Sequence, residues 1–99
     1  MLFRSDKHGH SCFDNPALRT LLKAQGTDCL IMTGVETDVC VLATVLSAID
    51  LGWRVILVED AVTSSSEAGH KAAMEAIFPR YDMQIEVLTT DALLAAWKD

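Results

Sequence analysis

Cysteine, lysine and histidine carry most of the chemical reactivity in this sequence, and one cysteine stands out by its position. Cys40 closes the segment Gly34-Val-Glu-Thr-Asp-Val-Cys40, between a short apolar run and a stretch with helical patterning. In open α/β sheets the functional crevice lies at the carboxyl ends of the strands, where such a segment sits. Thr37 or Asp38 is placed to cap the helix, which puts Cys40 in its first turns. The unbonded N–H groups and the positive dipole end of a helix favour a thiolate there. The same N–H groups suit a developing oxyanion. Buried cysteines are more often inert packing residues, so by position alone Cys40 is a nucleophile candidate with a packing role as its alternative.

The other reactive side chains form weaker patterns. His8 and His10 are two residues apart but have no nearby set of Asp or Cys partners, so no metal site is expected. Cys12, Cys29 and Cys40 are an odd number with wide spacing and no C-x-x-C, which is neither a disulfide framework nor a redox pair. Cys12 and Cys29 read as packing residues. His70 falls on a solvated or half-buried helix face. Asp60 ends a strand, where capping or loop hydrogen bonding is its expected role. Trp53 and Trp97 read as core or interface anchors.

The elements that must position these groups alternate along the chain. Asn15 and Pro16 are an N-cap and first helical residue, Leu18, Leu21 and Leu22 share one face, and Gly26 follows, which predicts a helix over 16–25. The continuous apolar run 29–33 predicts a strand buried on both faces. A helix is expected from Asp38 to Leu51. Its apolar residues cover nearly its whole circumference, so it must be buried all round. Arg54 to Val58 is a second strand, and Ser64 with Glu67 is a capping box for a helix that Pro79 ends. Gln84 to Leu88 is a third strand, and Thr90 or Asp91 caps a last helix bearing Leu93, Leu94 and Trp97. Helices alternating with strands in this way predict a parallel sheet in sequential order, 29–33, 54–58, 84–88. The first strand would leave an unpaired edge, and the all-apolar helix needs more cover than a short chain supplies.

Several of these segments together resemble the isochorismatase-like cysteine hydrolases. Gly34-Val-Glu-Thr-Asp-Val-Cys-Val41 is similar to that family's nucleophile turn. Lys7-His-Gly-His-Ser-Cys-Phe13 is similar to its Lys-x-x-x-Ser-Ala-Phe segment, with Cys12 in place of the alanine. Gly52-Trp-Arg-Val and Val58-Glu-Asp-Ala-Val-Thr-Ser64 also resemble family segments, so the likeness runs from about Lys7 to Trp97. It implies an α/β three-layer, doubly wound parallel sheet, of which residues 1–99 form a single partial domain lacking the N-terminal strands. Cys40 would be the nucleophile and Lys7 its cationic partner. The backbone N–H groups of Glu36 and Cys40 would form the oxyanion hole, and the Val35–Glu36 peptide bond would be cis. The family's triad also contains an aspartate from the end of its first strand, in an N-terminal half that this chain lacks. Asp6, though adjacent to Lys7, is not at that position.

The implied activity is hydrolysis of a C–N bond in a small amide, carbamoyl or ureido compound through a covalent thioester-type intermediate, with no cofactor. The cysteine argues against a true isochorismatase, which lacks it. The alternative is a truncated, catalytically inactive fragment acting as an assembly module, paired with itself or with an N-terminal half; the open edge and the apolar helix motivate it. A hydrophobic fraction of 51% and a charged fraction of 22% fit a packed globular chain. A net charge of -6 with scattered basic residues argues against a nucleic-acid surface. The longest nearly apolar stretch, 39–49, is far short of the ~20 residues that span a bilayer. No leader pattern is visible in residues 1–10, and the cysteine usage suits a reducing cytoplasm.

Overall fold

The computed structural model describes residues 6–97. Three strands, β1 (Cys29–Val35), β2 (Arg54–Thr63) and β3 (Ile85–Leu88), form one parallel sheet in the order β1-β2-β3. Helix α1 (Pro16–Ala24) precedes β1, α2 (Leu42–Asp50) joins β1 to β2, α3 (Glu67–Ala72) follows β2, and α4 (Thr90–Ala96) follows β3.

The central strand is covered on both faces. Successive strand residues point to opposite sides, and Val55, Leu57 and Val58 are all buried. Val55 and Leu57 join Val41, Val45 and Ala48 from the α2 side, together with Trp53, Phe78 and Ile85, in one core. Each such side chain contributes about 1.5–3 kcal/mol when fully buried. Trp53 is anchored twice: its indole N–H donates to the Thr27 carbonyl (2.7 Å) and its ring stacks on Phe13 at 5.3 Å.

The strand β1 differs from its expectation. Among the described residues it pairs only with β2, so Leu30 and Met32 are half-buried while Ile31, Thr33 and Val35 are exposed. A strand with one neighbour cannot be covered as the apolar run predicts. The helix 38–51 is likewise not buried all round. Thr37, Val41, Thr44, Val45 and Ala48 are buried, while Leu42, Ala43, Leu46 and Ile49 are half-buried. Trp97 is 58% exposed and takes no part in the core.

Local boundaries shift for identifiable reasons. The helix after β1 opens with a π-helical turn, Thr37–Val41, and neither Thr37 nor Asp38 caps it; both side chains are bonded elsewhere. The Ser64–Glu67 capping box does not form. Ser64 donates to Asp38 (2.6 Å), and Ser66 takes the cap by accepting from the Gly69 N–H (3.0 Å). After α3 the chain passes through a π-helical turn, Ala73–Ile77, and a 3-10 turn, Phe78–Tyr81, that contains Pro79. The final cap is Thr89, one residue before the expected pair. Asn15 caps α1 as expected, its side-chain oxygen accepting from Ala17 N–H at 3.0 Å.

One irregularity in the sheet shapes the site. Cys29 to Met32 pair in order with Arg54 to Leu57, but Gly34 and Val35 pair with Val62 and Thr63. Only Thr33 separates these registers on β1, whereas residues 58–61 separate them on β2. The strand β2 therefore leaves β1, pairs Val58 with Leu88 of β3, and returns. The return brings Ser64, Ser65 and Ser66 against the turn that carries Cys40.

Candidate active site

Two loops meet at Cys40. The first is the turn itself. The Val35–Glu36 peptide bond is cis. The Glu36 carbonyl accepts from the N–H groups of Val39 and Val41, both at 3.1 Å, and its carboxylate accepts from Ser65 N–H at 2.7 Å. Hydrogen bonds from Ser65, its hydroxyl first and then its N–H, hold the Glu36 carboxyl below the ordinary carboxylate range. The next two residues are also tied down. Thr37, fully buried, shares a 2.8 Å hydrogen bond with His70 Nδ1, and Asp38 accepts from Ser64. A turn braced by three consecutive side chains positions the backbone on which Cys40 sits.

The second loop is residues 7–14, which is fastened along one face of α2. Ser11 donates to Ser47 (3.0 Å) and Cys12 N–H donates to Thr44 (2.9 Å). Thr44 and Ser47 follow Cys40 at i+4 and i+7, so these bonds lay the loop over the helical face that presents the sulfur. At its far end the Asp14 carboxylate accepts from the N–H groups of His8 and Gly9, each at 2.9 Å. These backbone donors, His8 first, hold the Asp14 carboxyl below its ordinary range.

The result is that Lys7 Nζ lies 3.7 Å from Cys40 Sγ, across 33 residues of sequence. The same nitrogen donates to the carbonyls of Gly9 (3.1 Å) and His10 (2.7 Å). His10 Nδ1 lies 3.8 Å from the sulfur on its own account. The sequence gives no sign of that contact: there His10 is at most a weak metal-ligand candidate, and its spacing from Lys7 says nothing about where the ring points. Among the described residues no group of three or more His, Cys, Asp or Glu is arranged to hold a metal ion.

Cys40 and Lys7 line a cavity of about 150 Å³ together with Cys12, Met32, Val35 and Thr44. Cys12 thus shares the cavity with Cys40, while Cys29 is half-buried in β1. Larger grooves run beside Asp14 and Asp50, where His10, Ser11 and Ser47 also line the wall, and beside Glu59 and His70; neither is lined by Cys40 or Lys7. Asp60 lies outside the Cys40 cavity. Its carboxylate accepts from the Thr90 hydroxyl and N–H, both 2.8 Å, and so braces α4 against β2; these bonds hold it below the ordinary range. Glu36 is the extended residue just before the π-helical turn that contains Cys40, and its carbonyl is held by the Val39 and Val41 N–H groups.

Residues 3–92 match the family of the isochorismatase domain. The chain belongs to the isochorismatase family. Its fold superposes on an isochorismatase-like hydrolase from Alkaliphilus metalliredigens with a TM-score of 0.81 and 29% identity, covering 98% of this chain and 54% of the other. A nicotinamidase from Staphylococcus aureus is similar at a TM-score of 0.76 and 30% identity, over 85% of this chain and 51% of that one. The maleamate amidohydrolase of Pseudomonas putida is 32% identical over 71 residues, which is 72% of this chain and 33% of that protein. The chain spans between 23% and 41% of the length of the curated relatives it matches. No helix among the described residues is long and apolar enough to cross a membrane.

Proposed function

We propose that this chain carries the nucleophile of a cysteine hydrolase acting on the C–N bond of a small amide, carbamoyl or ureido compound. The carrying observation is the 3.7 Å approach of Lys7 Nζ to Cys40 Sγ at the carboxyl end of β1. In this reading Cys40 attacks the carbonyl carbon, the ammonium stabilises the thiolate and the charge that follows it, and the N–H groups of Glu36 and Cys40 receive the oxyanion. Collapse expels the amine and leaves a thioester-type intermediate that water hydrolyses. The names of two relatives, a nicotinamidase and a maleamate amidohydrolase, support a small carboxamide as substrate.

The experiment measures ammonia release from nicotinamide, maleamate and simple ureido compounds, with iodoacetamide labelling of each cysteine in parallel. The proposal expects Cys40 to label much faster than Cys12 or Cys29, and Cys40→Ala to abolish turnover. Equal, slow labelling of all three with no amidase activity would overturn it.

A second reading is favoured by the sheet. Among the described residues β1 has a neighbour on one side only, and Ile31 and Val35 on it are 39% and 61% exposed. In this reading the chain is an assembly module that associates through the β1 edge with a second copy or with a chain supplying further strands. Sedimentation of the purified chain distinguishes the two: a monomer with a reactive Cys40 removes the second reading.

A further inference from the structure

We infer that Cys12 and Cys40 form a redox pair, in which a peroxide oxidises the Cys40 sulfur to a sulfenic acid and the Cys12 thiol converts it to an intramolecular disulfide. The inference rests, for its first step, on the reading of Cys40 as nucleophile, and adds a modification site to it.

Spacing along the chain makes no redox pair of these cysteines; the fold does. Residues 7–14 carry both Lys7 and Cys12 to the helical face that presents Cys40. Lys7 Nζ stands 3.7 Å from Cys40 Sγ. Cys12 N–H donates at 2.9 Å to Thr44, four residues after Cys40. Helical side chains at that spacing are neighbours, with Cβ atoms about 5–6 Å apart. Cys12 and Cys40 accordingly line the same cavity of about 150 Å³, and Cys29 does not. All three thiols are free and half-buried, so burial does not rank them. Their surroundings do: Cys40 has the ammonium, and Cys12 has Cys40 across the cavity. Cys12 stands where the segment it resembles has alanine, so the second thiol belongs to this chain rather than to the fold.

The loop leaves room for the bridge to close. A disulfide needs Cα atoms about 4.4–6.8 Å apart. Cys12 is fastened beside Thr44, so closure requires the loop to shift along the helix by less than one turn, about 5.4 Å. Residues 7–10 of that loop are exposed, and its next two residues are tied to the helix by the Ser11–Ser47 and Cys12–Thr44 bonds.

The steps balance with a peroxide as the oxidant. The Cys40 thiolate attacks one peroxide oxygen, the O–O bond breaks, and hydroxide leaves and is protonated to water when the peroxide is hydrogen peroxide. The sulfur has lost two electrons and is a sulfenic acid. The Cys12 sulfur then attacks Cys40 Sγ, the S–O bond breaks, and the departing hydroxide takes the Cys12 proton and leaves as water. Two sulfurs have given up two electrons, and one hydrogen peroxide has become two waters. A dithiol reverses the bridge, whereas further oxidation of an unresolved sulfenic acid to sulfinic acid is not reversed by thiols. The bridge therefore blocks the nucleophile and protects it.

The test treats the reduced full chain with hydrogen peroxide, with and without dimedone to trap sulfenic acid. Free thiols are then blocked, and non-reducing peptide mass spectrometry follows, with a digestion that cuts between Cys29 and Cys40. The parent is expected to give a Cys12–Cys40 disulfide within one chain, and dithiothreitol to restore Cys40 to iodoacetamide labelling. In Cys12→Ala and in Cys12→Ser the disulfide should be absent and dimedone should mark Cys40. The Cys40 recovered by dithiothreitol after excess peroxide should fall about fivefold or more in both variants. Sulfenic or sulfinic Cys40 in the parent with Cys12 still free overturns the pairing and leaves the Cys40 reading standing. A disulfide through Cys29 or between two chains also overturns it, as does recovery unchanged in both variants. If Cys40 reacts with peroxide and with iodoacetamide no faster than Cys29, the Cys40 reading falls, and this inference with it.

Discussion

Replacing Gly69 with alanine should destabilise the protein, against the direction that helix propensity alone gives. Gly69 lies within α3, where alanine would ordinarily be favoured by up to about 1 kcal/mol. A Cβ at this position, however, would overlap Asp38 Oδ2, come within 2.7 Å of its Cγ and approach Ser66 Oγ at 3.1 Å. The Asp38 carboxylate has little room to yield, because its other oxygen accepts from Ser64 at 2.6 Å. Relieving the overlap means moving α3 from the turn, at about 1–3 kcal/mol for overpacking, or rotating the carboxylate and losing a charge-assisted hydrogen bond of about 1.5–3 kcal/mol. Set against the propensity gain, the net loss is about 0.5–2 kcal/mol. Urea unfolding of Gly69→Ala measures it. The cause is isolated by the same substitution in an Asp38→Ala background, where the obstacle is gone and the change should be neutral or stabilising by up to about 1 kcal/mol. A Gly69→Ala protein more stable than its parent would refute the packing of α3 on the nucleophile turn.

Three further outcomes follow from the same contacts. Thr37→Val keeps the shape of a fully buried side chain but removes the partner of His70 Nδ1, and unfolding experiments should show a loss of about 1–2 kcal/mol, smaller for Thr37→Ser. Trp53→Phe retains an aromatic ring beside Phe13 and leaves the Thr27 carbonyl without its donor, which should lower stability by about 1–2 kcal/mol. The carboxyls of Asp14 and Glu36 are held below their ordinary range in the folded chain, Asp14 by the N–H groups of His8 and Gly9 and Glu36 by Ser65. Their contribution is therefore present above the unfolded values near about pH 4 and is lost as pH falls through the lower folded values. Thermal melts should show this decline, and it should be shallower in Asp14→Asn and Glu36→Gln.

Short-range patterning accounts for much of what could be read before any coordinates. Asn15, Pro16 and the leucine stripe locate α1 because cap, ring and periodicity are local. The parallel order of the strands follows from alternating elements and matches the sheet. What is set by distant neighbours was not legible. Three consecutive serines each could have capped α3; Ser66 does, because Asp38, some 26 residues away, takes Ser64. The apolar run of β1 reads as a doubly covered strand, but coverage depends on what lies beside it. The π-helical turn at Cys40 and the irregular register of β2 leave no mark in periodicity. At the site, Cys40 stands out by its position and Lys7 only by the family resemblance, and the two lie 3.7 Å apart. The approach of His10 to the sulfur is not legible because the loop is placed by the bonds of Ser11 to Ser47 and of Cys12 to Thr44, which no local pattern encodes.

The proposed hydrolysis depends on a covalent bond forming at one sulfur, Cys40 Sγ. Acid quenching of the chain during turnover of a carboxamide, followed by peptide mass spectrometry, measures that bond directly. An acyl group on the peptide containing Cys40, absent from those containing Cys12 and Cys29 and absent in Cys40→Ala, is the expected result. Product formation with no acylated Cys40, or turnover undiminished in Cys40→Ala, would contradict it.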